Sequence, residues 1–200
     1  MVTVAQKKIK DKAPLVAPAK LNIWLFMLAS SMLFSALVSA FIVHQPDAKA
    51  KATWTMFNLP TYFLFSLIIS TLSSITMYLA FKNAKNDELI KNRLYLVVTL
   101  ALGLLFCVSQ YLGWNELVAM KLTFVNPRPE DISASYVWMI TAVHVVHVLG
   151  GIILLAVGIF KSFKLEIHKK QLTFMSVTHT YWHFVGLLWF ILYLFLYFAR

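Results

Sequence analysis

The sequence predicts an all-α integral membrane protein with five transmembrane helices. Two observations carry this. Of the 200 residues, 60% are hydrophobic and only 13% charged, against about 45–50% and about 25% in soluble domains. The charges are also segregated: windows 21–43, 57–81, 94–115, 132–160 and 171–199 hold none of the 18 Lys+Arg or 8 Asp+Glu. About 20 apolar residues cross a hydrocarbon core of about 30 Å, and every window is long enough. None shows the period-two alternation of a barrel strand, and in lipid a helix is the one single segment that satisfies its own backbone. This composition excludes a disordered chain, a nucleic-acid-binding domain and a disulfide scaffold. The single Cys107 has no intrachain partner.

Residues 1–20, rich in Lys, Ala and Pro, form a tail, and 21–200 form one membrane domain. The first helix, about 21–43, is too long for a signal-peptide core of about 7–15 residues, so it stays as a span. It carries Ser31, Ser35 and Ser39 four residues apart. The second, about 57–81, opens with Asn58 as a cap and Pro60 in the first turn, and carries Ser66, Ser70 and Ser74. Small residues at this spacing let helices approach closely. The third, about 94–117, places Gln110 at membrane depth, where its amide needs a partner. Its Trp114 suits an interfacial belt. The fourth, about 132–160, follows the Pro-dense Asn126-Pro127-Arg128-Pro129. It and the fifth, about 171–199, are longer than a crossing requires, so they tilt or project. The longest connection, about 16 residues, cannot hold a soluble domain.

Topology follows from the basic residues. Five lysines of the tail, then Lys82, Lys85, Lys91 and Arg93, then Lys161, Lys164, Lys169 and Lys170 fall on one side. The other side has only Lys49, Lys51, Lys121, Arg128 and Arg200. The positive-inside rule puts the N-terminus in the cytoplasm and the C-terminus outside. The net charge of +10 is read as topology and attraction to anionic lipid headgroups, not nucleic-acid binding.

The intramembrane histidines are the strongest functional candidates. His144, His147 and Gly151 share one face of the fourth helix; His179, His183 and Gly186 share one face of the fifth. Four readings compete: axial ligation of haem, a metal site lacking a third ligand, a proton relay lacking a carboxylate, and neutral hydrogen bonding across helices. The residues alone favour the last, with haem second. No nucleophile–base–acid constellation accompanies them, so the chain is not catalytic alone.

Two motifs give the chain a familiar cast. Tyr181-Trp182-His183-Phe184-Val185, followed by Leu188-Trp189, is similar to the last-helix signature of subunit III of the haem–copper terminal oxidases, the cytochrome c and quinol oxidase family. His144-Val145-Val146-His147-Val148-Leu149-Gly150-Gly151 is like that family's paired-His, double-Gly motif. Weaker matches are Trp24-Leu25-Phe26, Ser70-Thr71 with Ser73-Ser74, and Gln110 before Trp114. The resemblance runs from about Trp24 to Phe198, in the short five-helix bacterial form.

The resemblance implies a non-redox accessory subunit with no haem or metal of its own, the haems and copper lying in partner subunits. It implies subunits I and II as partners, bound phospholipid in a cleft between a two-helix and a three-helix group, and support of proton uptake while oxygen is reduced. It leaves membership of a larger respiratory supercomplex open. The expected location is the bacterial plasma membrane, with the C-terminus periplasmic. His144, His147, Gly150, Gly151, Tyr181, Trp182, His183, Phe184, Trp189 and Gln110 become packing signatures. Trp24, Ser30, Ser31, Ser35, Ser70, Ser73 and Ser74 become a face toward subunit I or the lipid cleft. Two departures stand out: Ser30 and Gly186 occupy positions where many members carry a carboxylate, which weakens any direct proton-handling role. The alternative is a cytochrome b-type haem carrier using His144/His147 and His179/His183.

Overall fold

The computed structural model describes residues 18–52, 54, 56–124, 132–164 and 172–199. Residues 1–17 of the tail and the Pro-dense loop 126–129 lie outside these residues. The described residues hold five helices and no strand: α1 (Pro18–Ala50), α2 (Thr61–Lys85), α3 (Leu89–Ala119), α4 (Ser133–Phe163) and α5 (Thr173–Ala199). All five are long and apolar enough to cross a membrane.

Most ends run past the charge-free windows. The 33 residues of α1 rise about 50 Å at 1.5 Å each. A charge ends the part of a helix that sits in hydrocarbon but does not unwind the backbone. Thus α1 continues through Pro46, Asp47 and Lys49, held there by Gln45 Nε2 donating to the Ala199 carbonyl of α5. α2 does begin at a proline: Pro60 is its N-cap, and its carbonyl accepts from Phe63 N–H. The turn Asn86–Glu88 joins α2 to α3 so tightly that Asp87 takes φ 59°.

α2, α3, α4 and α5 close a four-helix ring: α2 packs on α3 and α5, and α4 on α3 and α5. α1 lies outside the ring, against α4 and α5, and among the described residues has no packing contact with α2 or α3. These contacts do not by themselves divide the helices into the expected two-helix and three-helix groups, since α2 also packs on α5 and α3 on α4. α2 turns its small face, Ser66, Ser73, Ala80 and Ala84, inward and buries it, which allows the close approach that membrane helices need to gain packing energy. α1 presents aromatics instead. Phe34 reaches His144 and His147 of α4, and Phe41 reaches Tyr136 of α4 and Phe195 of α5.

Polar clasps tie the ring at both ends. At the lysine-rich end, Asn92 of α3 is fully buried, donates to the Ala80 carbonyl at 2.9 Å and accepts from Ser162 Oγ at 3.1 Å. Arg93 donates two hydrogen bonds to the Ser162 carbonyl and lies over the Phe163 ring. The arginine thereby caps a carbonyl in the last turn of α4, where regular helix hydrogen bonds run out. At the other end Trp114 stacks on Trp138 and donates to Thr141 Oγ1 at 3.0 Å.

Candidate functional site

The signature residues converge where α5 meets the other helices. Trp182 is the wedge. Its indole N–H donates to Ser73 Oγ of α2 at 2.9 Å. Its six-membered ring lies where a Cβ on Gly103 of α3 would come within 2.8 Å, and one on Gly151 of α4 within 2.9 Å. One α5 side chain thus touches all three other ring helices, and two glycines make room for it. Tyr181, beside it, donates to the His147 carbonyl at 2.9 Å and passes Gly150, whose added Cβ would sit 3.5 Å from the phenol oxygen. The double glycine therefore faces the Tyr-Trp pair directly.

His147 joins α1 to α4. Its Nδ1 is 2.8 Å from the Val143 carbonyl, which only accepts, so Nδ1 carries the proton. A neutral ring then leaves Nε2 as acceptor, 3.1 Å from Ser30 Oγ. The Ser30 proton has the Phe26 carbonyl, 2.9 Å away, as its other acceptor. Ser30→Ala should loosen α1 from α4 at a cost of about 1 kcal/mol, the usual net worth of one hydrogen bond. The check is the melting temperature of the assembled complex; no change would remove Ser30 from this role.

His144 is set differently. It is 1% exposed, stacked on Trp189 with centroids 5.0 Å apart, and flanked by Phe34 and Phe106. Neither of its ring nitrogens has a protein partner. The Trp189 indole N–H is also buried and unpartnered. Gln110 finds half of the partnership it needs: Nε2 donates to Ser66 Oγ at 2.8 Å, and Oε1 stays without a partner. His179 and His183 bond each other, Nε2 to Nε2, at 3.1 Å, with His179 against the Phe81 ring.

This geometry disfavours haem ligation. Both nitrogens of His147 are engaged, and the α5 pair uses its Nε2 atoms on itself. The space beside His144 is about 20 Å³, far smaller than a porphyrin. Among the described residues no three His, Cys, Asp or Glu side chains converge on one point.

The serine face expected to look outward divides. Ser30 and Ser73 are buried in the bonds just given. Ser70 and Ser74 point to α5, where a Cβ on Gly186 would come within 3.3 Å and 2.9 Å of their hydroxyls. The outward group is Trp24 at 61% exposed, Ser35 and the half-buried Ser31. Ser31 and Ser35 line a groove of about 350 Å³ between α1 and α5, with Phe34, Phe184, Leu188 and Ile191. The sequence reading missed Asn92, Arg93 and Ser162, because polar residues beside a span edge look solvated. Their one signal is a buriable amide next to an arginine within two residues of the window boundary.

Residues 8–200 match the family described as "Cytochrome c oxidase subunit III". A cytochrome c oxidase subunit 3 from Corynebacterium diphtheriae is 26% identical over 88% of this chain and 85% of that protein. The cytochrome bo(3) ubiquinol oxidase subunit 3 of Buchnera aphidicola (subsp. Baizongia pistaciae) is 25% identical over 96% of this chain and 97% of its own. A Bacillus cytochrome c oxidase subunit 3 is 24% identical, over 84% and 80% respectively.

Proposed function

The chain belongs to the cytochrome c oxidase subunit III family, and from that premise we propose that it is the non-redox accessory subunit that stabilises a proton-pumping oxidase and holds lipid against it. Membership makes it a multi-pass membrane subunit of a haem–copper oxidase, working in a complex with other oxidase subunits. The finer role rests on one observation. The groove between α1 and α5 is lined by apolar side chains and two serines. Its size and apolar walls suit an acyl chain of a phospholipid.

Subunits I and II are the proposed partners, and Trp24, Ser31 and Ser35 the proposed contact or lipid face. Support of proton uptake acts through this scaffold. Ser30 is committed to His147 and Gly186 has no side chain, so neither position offers a carboxylate to carry protons. The proposed location is the bacterial plasma membrane with the N-terminus cytoplasmic, in keeping with the basic residues near the Asn92 end.

Ser35→Phe tests the lipid role by filling the groove. The purified oxidase should lose bound phospholipid and inactivate faster during turnover, with its initial rate kept. Unchanged phosphorus content and unchanged lifetime would sink the lipid proposal. His144→Ala separates the scaffold from a haem carrier. It should lower the stability of the complex and leave the visible haem bands where they were; a lost or shifted band would favour the haem carrier.

A further inference from the structure

We propose that the centre of the helix ring holds a single ordered water molecule, bound between His144 of α4 and Ser70 of α2.

Three independent observations meet there. The first is an unpaired ligand: His144 is 1% exposed, and both of its ring nitrogens lack a protein partner. A neutral imidazole has one donor and one acceptor nitrogen, and lipid cannot satisfy either. The second is a space of matching size. His144 borders a cavity of about 20 Å³ shared with Ser70, Gly103, Val148, Trp182 and Gly186. One water centre needs roughly 10–15 Å³, and cavities that stay dry are wholly apolar. The third is how the space is made. It sits beside Gly186, where a Cβ would come within 2.9 Å of Ser74 Oγ and 3.3 Å of Ser70 Oγ. A larger residue at 186 would crowd Ser70, which borders the void, and take up space beside it.

The chemistry also selects the ligand. It must be neutral, because apart from the His144 imidazole no acidic or basic side chain lines the cavity. It must both donate and accept, so that it serves either His144 tautomer and the Ser70 hydroxyl. It must be the size of one heavy atom, which excludes an acyl chain, a quinone or any organic substrate. Water meets all three requirements. The inference does not depend on the lipid groove, which lies on the other side of α5.

The test uses the intact oxidase complex containing this subunit. A density map that resolves other buried waters should show one isolated peak within hydrogen-bonding distance of a His144 ring nitrogen and Ser70 Oγ. An empty cavity, or one closed by side-chain shifts, would overturn the proposal. A second readout uses the complex with 15N-labelled histidine. Magnetisation should pass from water to the His144 imidazole in the unmodified protein and be lost in Gly186→Ala. Ser70→Ala keeps the space and removes one partner, so the transfer should weaken and the imidazole 15N shift should move. An unmodified protein without transfer, or Ser70→Ala with an unchanged shift, overturns the proposal. Because neither readout measures lipid or activity, failure here leaves the accessory-subunit reading standing.

Discussion

Trp182→Ala is expected to release the subunit from its oxidase during purification. The indole fills the space between Gly103 and Gly151 and donates to Ser73. Truncation removes packing on three helices at once, and Trp→Ala changes in cores cost about 3–5 kcal/mol. In lipid this loss is hard to offset, since helices associate through packing and hydrogen bonds with little hydrophobic drive. The converse change tests the same wedge from the other side. A Cβ on Gly151 already meets Trp182 at 2.9 Å, so Gly151→Val should force the indole out, at about 1–3 kcal/mol or more. Trp182→Phe keeps a ring but drops the N–H, and should be the mildest of the three. The measurement is subunit stoichiometry after detergent purification, with the melting temperature of the complex. Equal retention of all three variants would show that the wedge does not hold the bundle.

Asn92→Leu should destabilise the lysine-rich end of the ring, where Ala80 and Leu96 share a buried cluster with Trp182. The amide is fully buried and joins three helices through the Ala80 carbonyl, Ser162 Oγ and its own place on α3. Leucine has a similar size, so the loss is polar: the Ser162 hydroxyl is left without its acceptor and the Ala80 carbonyl without its extra donor. The stranded Ser162 hydroxyl costs about 1–3 kcal/mol, while the Ala80 carbonyl keeps its helix partner, so the total stays below the Trp182 effect. Arg93→Lys is a useful companion. Lysine keeps the charge but cannot repeat the forked contact on the Ser162 carbonyl, so a smaller loss is expected. The check is urea or thermal unfolding of the complex, with limited proteolysis at the 86–88 turn. Wild-type behaviour of Asn92→Leu would mean that the clasp is ornamental.

The five spans were legible because a helix in lipid needs a long charge-free run, and charge is visible residue by residue. Helix ends were less so. The charges that bound a window mark where hydrocarbon stops, and α1 runs on past them through Asp47 and Lys49. The signature residues were legible as a set, since Tyr181, Trp182 and the double glycine stand in fixed order. Their partners were not. Gly103 is one glycine among six in the chain, and nothing local marks it as the other wall of the Trp182 slot. The serines show the limit best. Ser35 and Ser70 share the same helical spacing and the same composition around them, yet one faces out and one faces the bundle centre.

The sequence by itself determined the class, the number of spans and the family, because each depends on residue type and order along one chain. Which helices touch was decided only by the tertiary structure. That α1 stands outside a ring of four, that Ser30 meets His147, and that His144 is left with two unpaired nitrogens beside a small cavity all depend on how helix faces are rotated against one another. That rotation is set by the fit of Trp182, the glycines and the small face of α2, a sum of many shallow contacts between residues far apart in the chain, which no local pattern records.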